Sequence, residues 1–344
     1  MRQAAVLSGL GSWLPPQVVT NDRLARQLDT SDEWIRRRTG IGQRHIAGPG
    51  IATSDLAIEA GRRALKSAAT DRADCVIVAT TTPDHPCPAT APMVAAKLGL
   101  GTVPAFDVAA VCAGFLYAGA VAEGLIAAGT VRTALVIGAD TFSSILDPED
   151  RTTRCVFGDG AGAAYLRAGS PEEPGALGPF TLGSDGTGAD MIMVGGGGSR
   201  QPLRAENIAR SDPYFRMQGK AVFRHAVERM STAISTAIEG ANWTLDDVEV
   251  FVTHQANLRI MQAVASHLGV PPERFPVHLD RVGNTAAASV PLTLVDAASA
   301  GTLRAGQRTV LEVLTEVVDG VTVGLSARWS GRGETSVAAV DRVG

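Results

Sequence analysis

A cysteine in "FDVAAVCAGFLYAGA", a histidine in "VTHQAN" and an asparagine in "RVGNTAAAS" are the residues of this chain whose types and settings suit chemistry. Cys112 precedes a long series of small and apolar residues, so it stands at the start of an expected helix. The positive end of a helix dipole stabilises thiolate and makes the thiol a better nucleophile at neutral pH. His254 leaves an apolar strand, where a neutral imidazole can donate from Nε2 to a developing oxyanion. Asn284 offers an amide donor. Each has a plainer reading: free cysteine is among the most buried residue types, a strand-end histidine also serves structure, and Gly-Asn-Thr suits a turn or a helix cap. Cys75 and Cys155 fit the core reading well. Together, thiolate, imidazole and amide suit acyl transfer through a thioester, and nothing in the sequence supplies a metal or a redox cofactor.

These three residues need elements to position them, and the chain repeats itself in a way that provides them. "ADCVIVATTTPD", "APMVAAKLGL" and "AFDVAAVCAGF" in the first half are echoed by "LDDVEVFVTHQAN", "IMQAVASHLGV" and "HLDRVGNTAAAS" in the second. Each set reads as strand, helix ending in Leu-Gly, strand, and small-residue helix. "RTALVIGAD" and "QRTVLEVLTEVVDG" continue the parallel as apolar β-rich runs. The echo sets Cys112 and Asn284 at equivalent points, with His254 at a strand end. All three are then expected at the C-terminal ends of strands, where open α/β sheets bind ligands. "AGSPEEPGALG", from Ala168 to Gly178, concentrates Pro, Gly and acidic residues and reads as a linker between halves 1–170 and 171–344. Nearly continuous apolar strands imply sheets covered on both faces, and "CAGFLYAGAVAEGLIAAG", apolar almost all round, reads as a helix buried between them.

With 344 residues, 45% of them hydrophobic, the chain can bury a sizeable core. A net charge of −4 gives it no bulk attraction for nucleic acid. No apolar run approaches the roughly 20 residues that span a bilayer, and "MRQAAVLSGLGSW" lacks the parts of a signal peptide, so a cytoplasmic location is expected. Cys75, Cys87, Cys112 and Cys155 form no CxxC pair and no zinc-like cluster with histidine, so free thiols are expected.

Five separated motifs in one order resemble the β-ketoacyl-acyl-carrier-protein synthases III of the thiolase-like superfamily: "SDEWIRRRTGI", "AFDVAAVCAGF", "LDPEDRTTRCVFGDGAGAA", "HQANLRI" and "GNTAAASVP". "GDGAGA" lacks the Lys-Ser/Thr of a phosphate-binding P-loop, and the resemblance makes it structural. The resemblance implies an α/β thiolase-like fold of two similar halves layered αβαβα, and a homodimer. It implies that Cys112 takes an acyl group from acyl-CoA, with release of CoA. Malonyl-carrier protein then loses carbon dioxide while His254 and Asn284 hydrogen-bond the thioester oxygen of the enolate, and the carbanion attacks acyl-Cys112. The product is a 3-oxoacyl-carrier protein that primes fatty-acid or polyketide synthesis. CoA and the carrier's phosphopantetheine are substrates, and no resident cofactor is expected.

By the same resemblance Trp34, Arg38, Arg151 and Phe223 hold CoA, Asn257 contacts its pantetheine arm, and Arg224 and Arg259 receive the acidic carrier protein. The backbone N–H of Cys112 and that of a glycine-rich loop near the C-terminus form the oxyanion hole. This chain departs from the pattern there. "TEVVDGVTVG" puts Val317, Val318 and Asp319 where Phe-Gly-Gly is expected, and the loop's donors fall on Asp319 and Gly320. Cys87, in "PDHPCPAT", stands where the family often has a larger residue near the partner subunit's acyl pocket, which hints at a changed starter group. Two other functions compete with condensation: simple acyl transfer from Cys112 to a hydroxyl or amine, and a silent dimerisation partner of another synthase.

Overall fold

Apolar runs such as "CVIVAT" and "TALVIGAD" become strands whose side chains are buried on both faces. The computed structural model describes residues 3–304, 306–315 and 318–323. In chain order the first elements are β1 (Ala4–Trp13), β2 (Gln17–Thr20), α1 (Asn21–Ala25), α2 (Asp32–Thr39), β3 (Gln43–Ile46), α3 (Thr53–Ser67) and β4 (Val76–Ala79). There follow α4 (Ala91–Lys97), β5 (Ala105–Val108), α5 (Gly114–Ala127), β6 (Thr133–Asp140), α6 (Arg151–Arg154) and β7 (Gly160–Gly169). The second half supplies β8 (Phe180–Thr181), β9 (Ile192–Val194), β10 (Phe215–Met217), α7 (Gly219–Gly240) and β11 (Val250–Thr253). It continues with α8 (Leu258–Leu268), α9 (Leu279–Val282), α10 (Ser289–Ser299), β12 (Thr309–Thr315) and β13 (Val318–Val323).

Beside the two-stranded ribbons β2-β3 and β9-β10 stand two larger sheets, one with the order β1-β7-β6-β4-β5 and the other β8-β13-β12-β11. Their pairings match: β1 with β7 and β7 with β6 are antiparallel, as are β8 with β13 and β13 with β12, while β6 with β4 and β12 with β11 are parallel. Alternate residues face alternate layers. Val76 and Val78 pack outward beneath α3, whereas Ile77 and Ala79 turn inward onto α5 and share its buried cluster with Val250 and Val252 of the other sheet. On the far side Phe251 and Val310 pack with Ile234 of α7 and Val264 of α8. The layers are therefore helix, sheet, helix, sheet, helix, with α5 and α10 between the sheets. No helix among the described residues is long and apolar enough to cross a membrane.

Three expectations change. "HLDRV" is not a strand: Leu279–Val282 is a single helical turn, and the second sheet has no counterpart of β5 among the described residues. The Gln255 side chain explains this. Its Oε1 accepts from the amides of His278 and Leu279 and its Nε2 donates to Pro276 O, taking backbone groups that a strand would give to a neighbour. The Ala168–Gly178 stretch is not a free linker, because Leu7 donates to Gly175 O and Leu177 to Ala5 O, which hold it along β1. Finally, the echo is offset. The turn Val111–Ala113 entering α5 corresponds to Ala286–Ala288 entering α10, and Val111 and Ala286 share φ 47°. Cys112 is thus the counterpart of Ala287, and Asn284 stands three residues upstream, after a helix and not after a strand.

Candidate active site

Val111 is a β-branched residue in the left-handed region, a conformation that persists only where its surroundings over-determine it. It presents Cys112, half-buried, in the turn that leads into the fourteen residues of α5. Gly114 permits this approach to the sheet, since a Cβ there would come within 3.0 Å of the Ala79 methyl. His254 follows β11 directly and its amide donates to Glu312 O at 2.8 Å. The ring is 3% exposed, and burial pushes its pKa down to about 3, so it is neutral at physiological pH. A neutral imidazole keeps one N–H to donate; Nδ1 has no hydrogen-bond partner among the described residues.

Asn284 is pinned on both sides by the segment leaving α6. Its amide donates to Val156 O and its carbonyl accepts from Gly158 N, each at 2.9 Å. Glycine is required for the two segments to touch: a Cβ on Gly158 would lie 2.3 Å from Val282 O, and Gly283 has φ 75°. "GDGAGA" thus acts as a close-packing segment. The Asn284 Oδ1 accepts from Ala286 N at 2.9 Å, which assigns the amide orientation and leaves Nδ2 as the outward donor.

Cys112, His254 and Asn284 line one cavity of about 570 Å³. Its apolar wall includes Phe142, Phe157 and Phe215, with Phe142 stacked on Phe157 at 4.3 Å and Phe215 edge-on to both. Ile192 and Met217, from the β9–β10 ribbon, complete that wall. Trp34, Arg38, Phe223, Asn257 and Arg259 line the same cavity. The Ser31 hydroxyl caps α2 at Trp34 N, and the guanidinium carbons of Arg38 and Arg151 lie 5.7 and 5.2 Å from the Trp34 ring centroid. Arg151 does not itself line the cavity and is tied to Asp29 through its backbone oxygen and carboxylate. The Asn257 amide caps α8 at Arg259 N and donates to Arg38 O, joining α8 to the end of α2. Arg259 lies over the Phe223 ring at 5.6 Å. Arg224 is exposed on α7 outside the lining, and so is Cys87 in its loop.

Val317 lies outside the described residues. Val318, Asp319 and Gly320 are strand residues of β13, not a free loop, at a register irregularity opposite β12. β13 and β12 both pack against the turn that carries Cys112. Beside His254, Glu312 is fully buried with neither carboxylate oxygen partnered among the described residues, and burial raises its pKa well above the ordinary range. The sequence reading missed Phe142, Phe215, Ile192 and Met217, whose apolar types looked like ordinary core, and Gln255, which hides inside "HQAN".

This fold of paired α/β halves around a cysteine turn is that of the thiolase-like condensing enzymes. Residues 106–186 match the family described as 3-oxoacyl-[acyl-carrier-protein] synthase III, and residues 238–324 match its C-terminal part. A β-ketoacyl-[acyl-carrier-protein] synthase III from Streptomyces coelicolor is 56% identical over 95% of this chain and 97% of that relative. The solved 3-oxoacyl-(acyl carrier protein) synthase III of Pseudomonas aeruginosa superposes with a TM-score of 0.88 at 47% identity, covering 95% of this chain and 98% of its own. A priming β-ketosynthase of a polyketide biosynthetic pathway gives 0.86 at 32% identity, with 94% and 96% covered. The chain belongs to the β-ketoacyl-acyl-carrier-protein synthase III family.

Proposed function

We propose that this protein is an acyltransferase that condenses an acyl-CoA starter with malonyl-acyl-carrier protein to prime fatty-acid or polyketide synthesis, a reading that its relatives' names, β-ketoacyl-acyl-carrier-protein synthase III and priming β-ketosynthase, support. The Cys112 thiolate attacks the acyl-CoA carbonyl, and the CoA thiolate leaves with a proton. Malonyl-carrier protein then loses carbon dioxide. The electrons of the broken C–C bond pass into an enolate whose oxygen receives hydrogen bonds from His254 and Asn284 Nδ2. The enolate carbon attacks acyl-Cys112, whose tetrahedral oxyanion is held by backbone N–H groups of Cys112 and of Asp319 or Gly320. Collapse returns the cysteine thiolate and a 3-oxoacyl-carrier protein. The two substrates are thioesters, and the reaction as written needs no resident cofactor.

The observation that carries this reading is the common cavity of Cys112, His254 and Asn284, with His254 neutral and the Asn284 Nδ2 turned outward. Simple acyl transfer has no enolate and leaves those two donors without a task. Trp34, Arg38, Arg151, Phe223 and Asn257 are assigned to CoA, and exposed Arg224 and Arg259 to an acidic carrier protein. Cys87 is assigned to the starter pocket of a partner subunit. A cytoplasmic homodimer divided into halves 1–170 and 171–344 completes the reading; β5, with Phe106 and Val108, is an open sheet edge suited to a second copy. Mass spectrometry after incubation with labelled acyl-CoA is expected to find the adduct on Cys112, and malonyl-carrier protein is then expected to release carbon dioxide and product. Labelling without carbon dioxide release would refute condensation. Sedimentation as a monomer would refute the dimer.

A further inference from the structure

Asn284 is held in part by the other half of the molecule. β6 ends at Asp140, which is fully buried. Its Oδ1 accepts from the amides of Thr81 and Thr82 at 2.7 and 3.2 Å, and from the hydroxyls of Thr80 and Thr82, each at 3.1 Å. Those donors follow β4, so the ends of two neighbouring strands are locked around one carboxylate oxygen. Oδ2 bridges to the second half and accepts from Ala287 N at 3.0 Å. Burial outweighs these bonds and pushes the Asp140 carboxyl up to about 6, so it is ionised at neutral pH and above.

Ala287 belongs to the turn that begins at Asn284. Ala286 between them has φ 47°, a conformation unfavourable for any L-residue with a Cβ. One hydrogen bond grips each side of that strained residue: Ala286 N donates to Asn284 Oδ1, and Ala287 N donates to Asp140. The first decides which end of the Asn284 amide faces the cavity. The second holds the peptide that follows and opposes relaxation of the turn.

We propose that Asp140 is a positioning residue for decarboxylation: by gripping the Ala287 amide it keeps the turn in the shape that aims Asn284 Nδ2 at the malonyl thioester. The proposal rests on the role given to Asn284 above. Asp140 touches no substrate and acts only through the turn.

Asp140→Asn tests this with almost no change of volume. If the amide oxygen keeps the threonine donors, its NH₂ meets the Ala287 N–H, and two donors face each other. Cys112 acylation is expected to stay within about threefold of wild type, while malonyl-carrier decarboxylation falls about 10–100-fold in kcat with little change in KM. In an Asn284→Ala background the same change is expected to cost less than about twofold further, since no donor remains to be aimed. Decarboxylation near the wild-type rate, equal loss of acylation, or a full additive loss in the Asn284→Ala background overturns the proposal. Should Asp140→Asn fail to fold, Thr82→Val removes one donor to Oδ1, and a selective loss of about threefold in decarboxylation is expected; a loss shared with acylation, or none, overturns it. Asn284→Ala alone keeps the two ideas apart. If it decarboxylates normally, the role of Asn284 fails and this proposal with it; if it is impaired and Asp140→Asn is not, only this proposal fails.

Discussion

Replacing Asn284 by Asp separates donor from acceptor at one position. The Oδ1 that accepts from Ala286 N survives the change, so the turn keeps its internal hydrogen bond. What changes is the outward group. As carboxylate, it faces the enolate with negative charge in place of an N–H. Loss of one such donor costs about 10²–10³ in rate, the loss expected for Asn284→Ala. Two like charges about 4 Å apart at an effective dielectric of 20 repel by about 4 kcal/mol, roughly a further thousandfold. With its new carboxylate ionised, the Asn284→Asp variant is therefore expected to decarboxylate about 10⁵–10⁶-fold more slowly than wild type, well below the Ala variant. Protonation reverses the order, because a carboxylic acid has an O–H to donate, and the 5% exposure of this position favours the neutral form. Release of labelled carbon dioxide from malonyl-carrier protein, measured for both variants between about pH 5 and 8, is expected to show the two profiles crossing, with Asp faster in acid and slower in base. Acylation of Cys112 serves as the control. An Asp-to-Ala ratio that stays constant with pH would refute the assignment of Asn284 as a donor to developing charge.

Because burial lowers His254 to about 3, protonation of this ring contributes no loss of condensing activity between pH 7 and about pH 5; an activity limb there that vanishes in His254→Gln would contradict the neutral-donor role. Glu312 has its folded pKa raised above the ordinary 4.5, so its neutral form stabilises the fold below that value, and this contribution is lost as pH rises through the folded pKa. Glu312→Gln is accordingly expected to raise the thermal midpoint at pH 8 more than at pH 5, and an equal shift at both would show that the carboxyl is not buried unpartnered. Phe142→Ala, which removes the fully buried member of the aromatic trio, is expected to cost about 3–5 kcal/mol in denaturant unfolding, and a cost under about 1 kcal/mol would show that the wall does not pack as described.

The alternation of apolar strands and small-residue helices made the paired halves legible, because strands such as Val76–Ala79 and Val250–Thr253 are buried on both faces and need no amphipathic signal to be found. Cys112 and His254 were legible for the same reason, each directly following a buried strand or opening a buried helix. The setting of Asn284 was not. Its segment repeats the composition of its counterpart but not its conformation, since a strand there would need the backbone groups that the Gln255 side chain takes at His278, Leu279 and Pro276. Side-chain to backbone bonds of this kind leave no periodic trace. The apolar wall was hidden for a different reason: Phe142 and Phe215 are core by type, and only the path of the chain makes them part of a cavity.

The offset between the halves follows from the chemistry asked of each. A nucleophile must project from its turn, so Cys112 stands in the turn itself, directly after the strained Val111. The counterpart position, Ala287, offers only its N–H, which Asp140 accepts. That bond holds the second turn from behind, so a residue upstream of the strain can serve as the donor. Asn284 takes that place because an Asn two residues before Ala286 closes its own turn with Oδ1 and still has Nδ2 to give. A serine or threonine there has a single hydroxyl, whose oxygen accepts from Ala286 N and whose one proton must find the enolate without a second anchor. In the proposed reaction the pair of equivalent turns thus supplies one nucleophile and one donor to a single cavity.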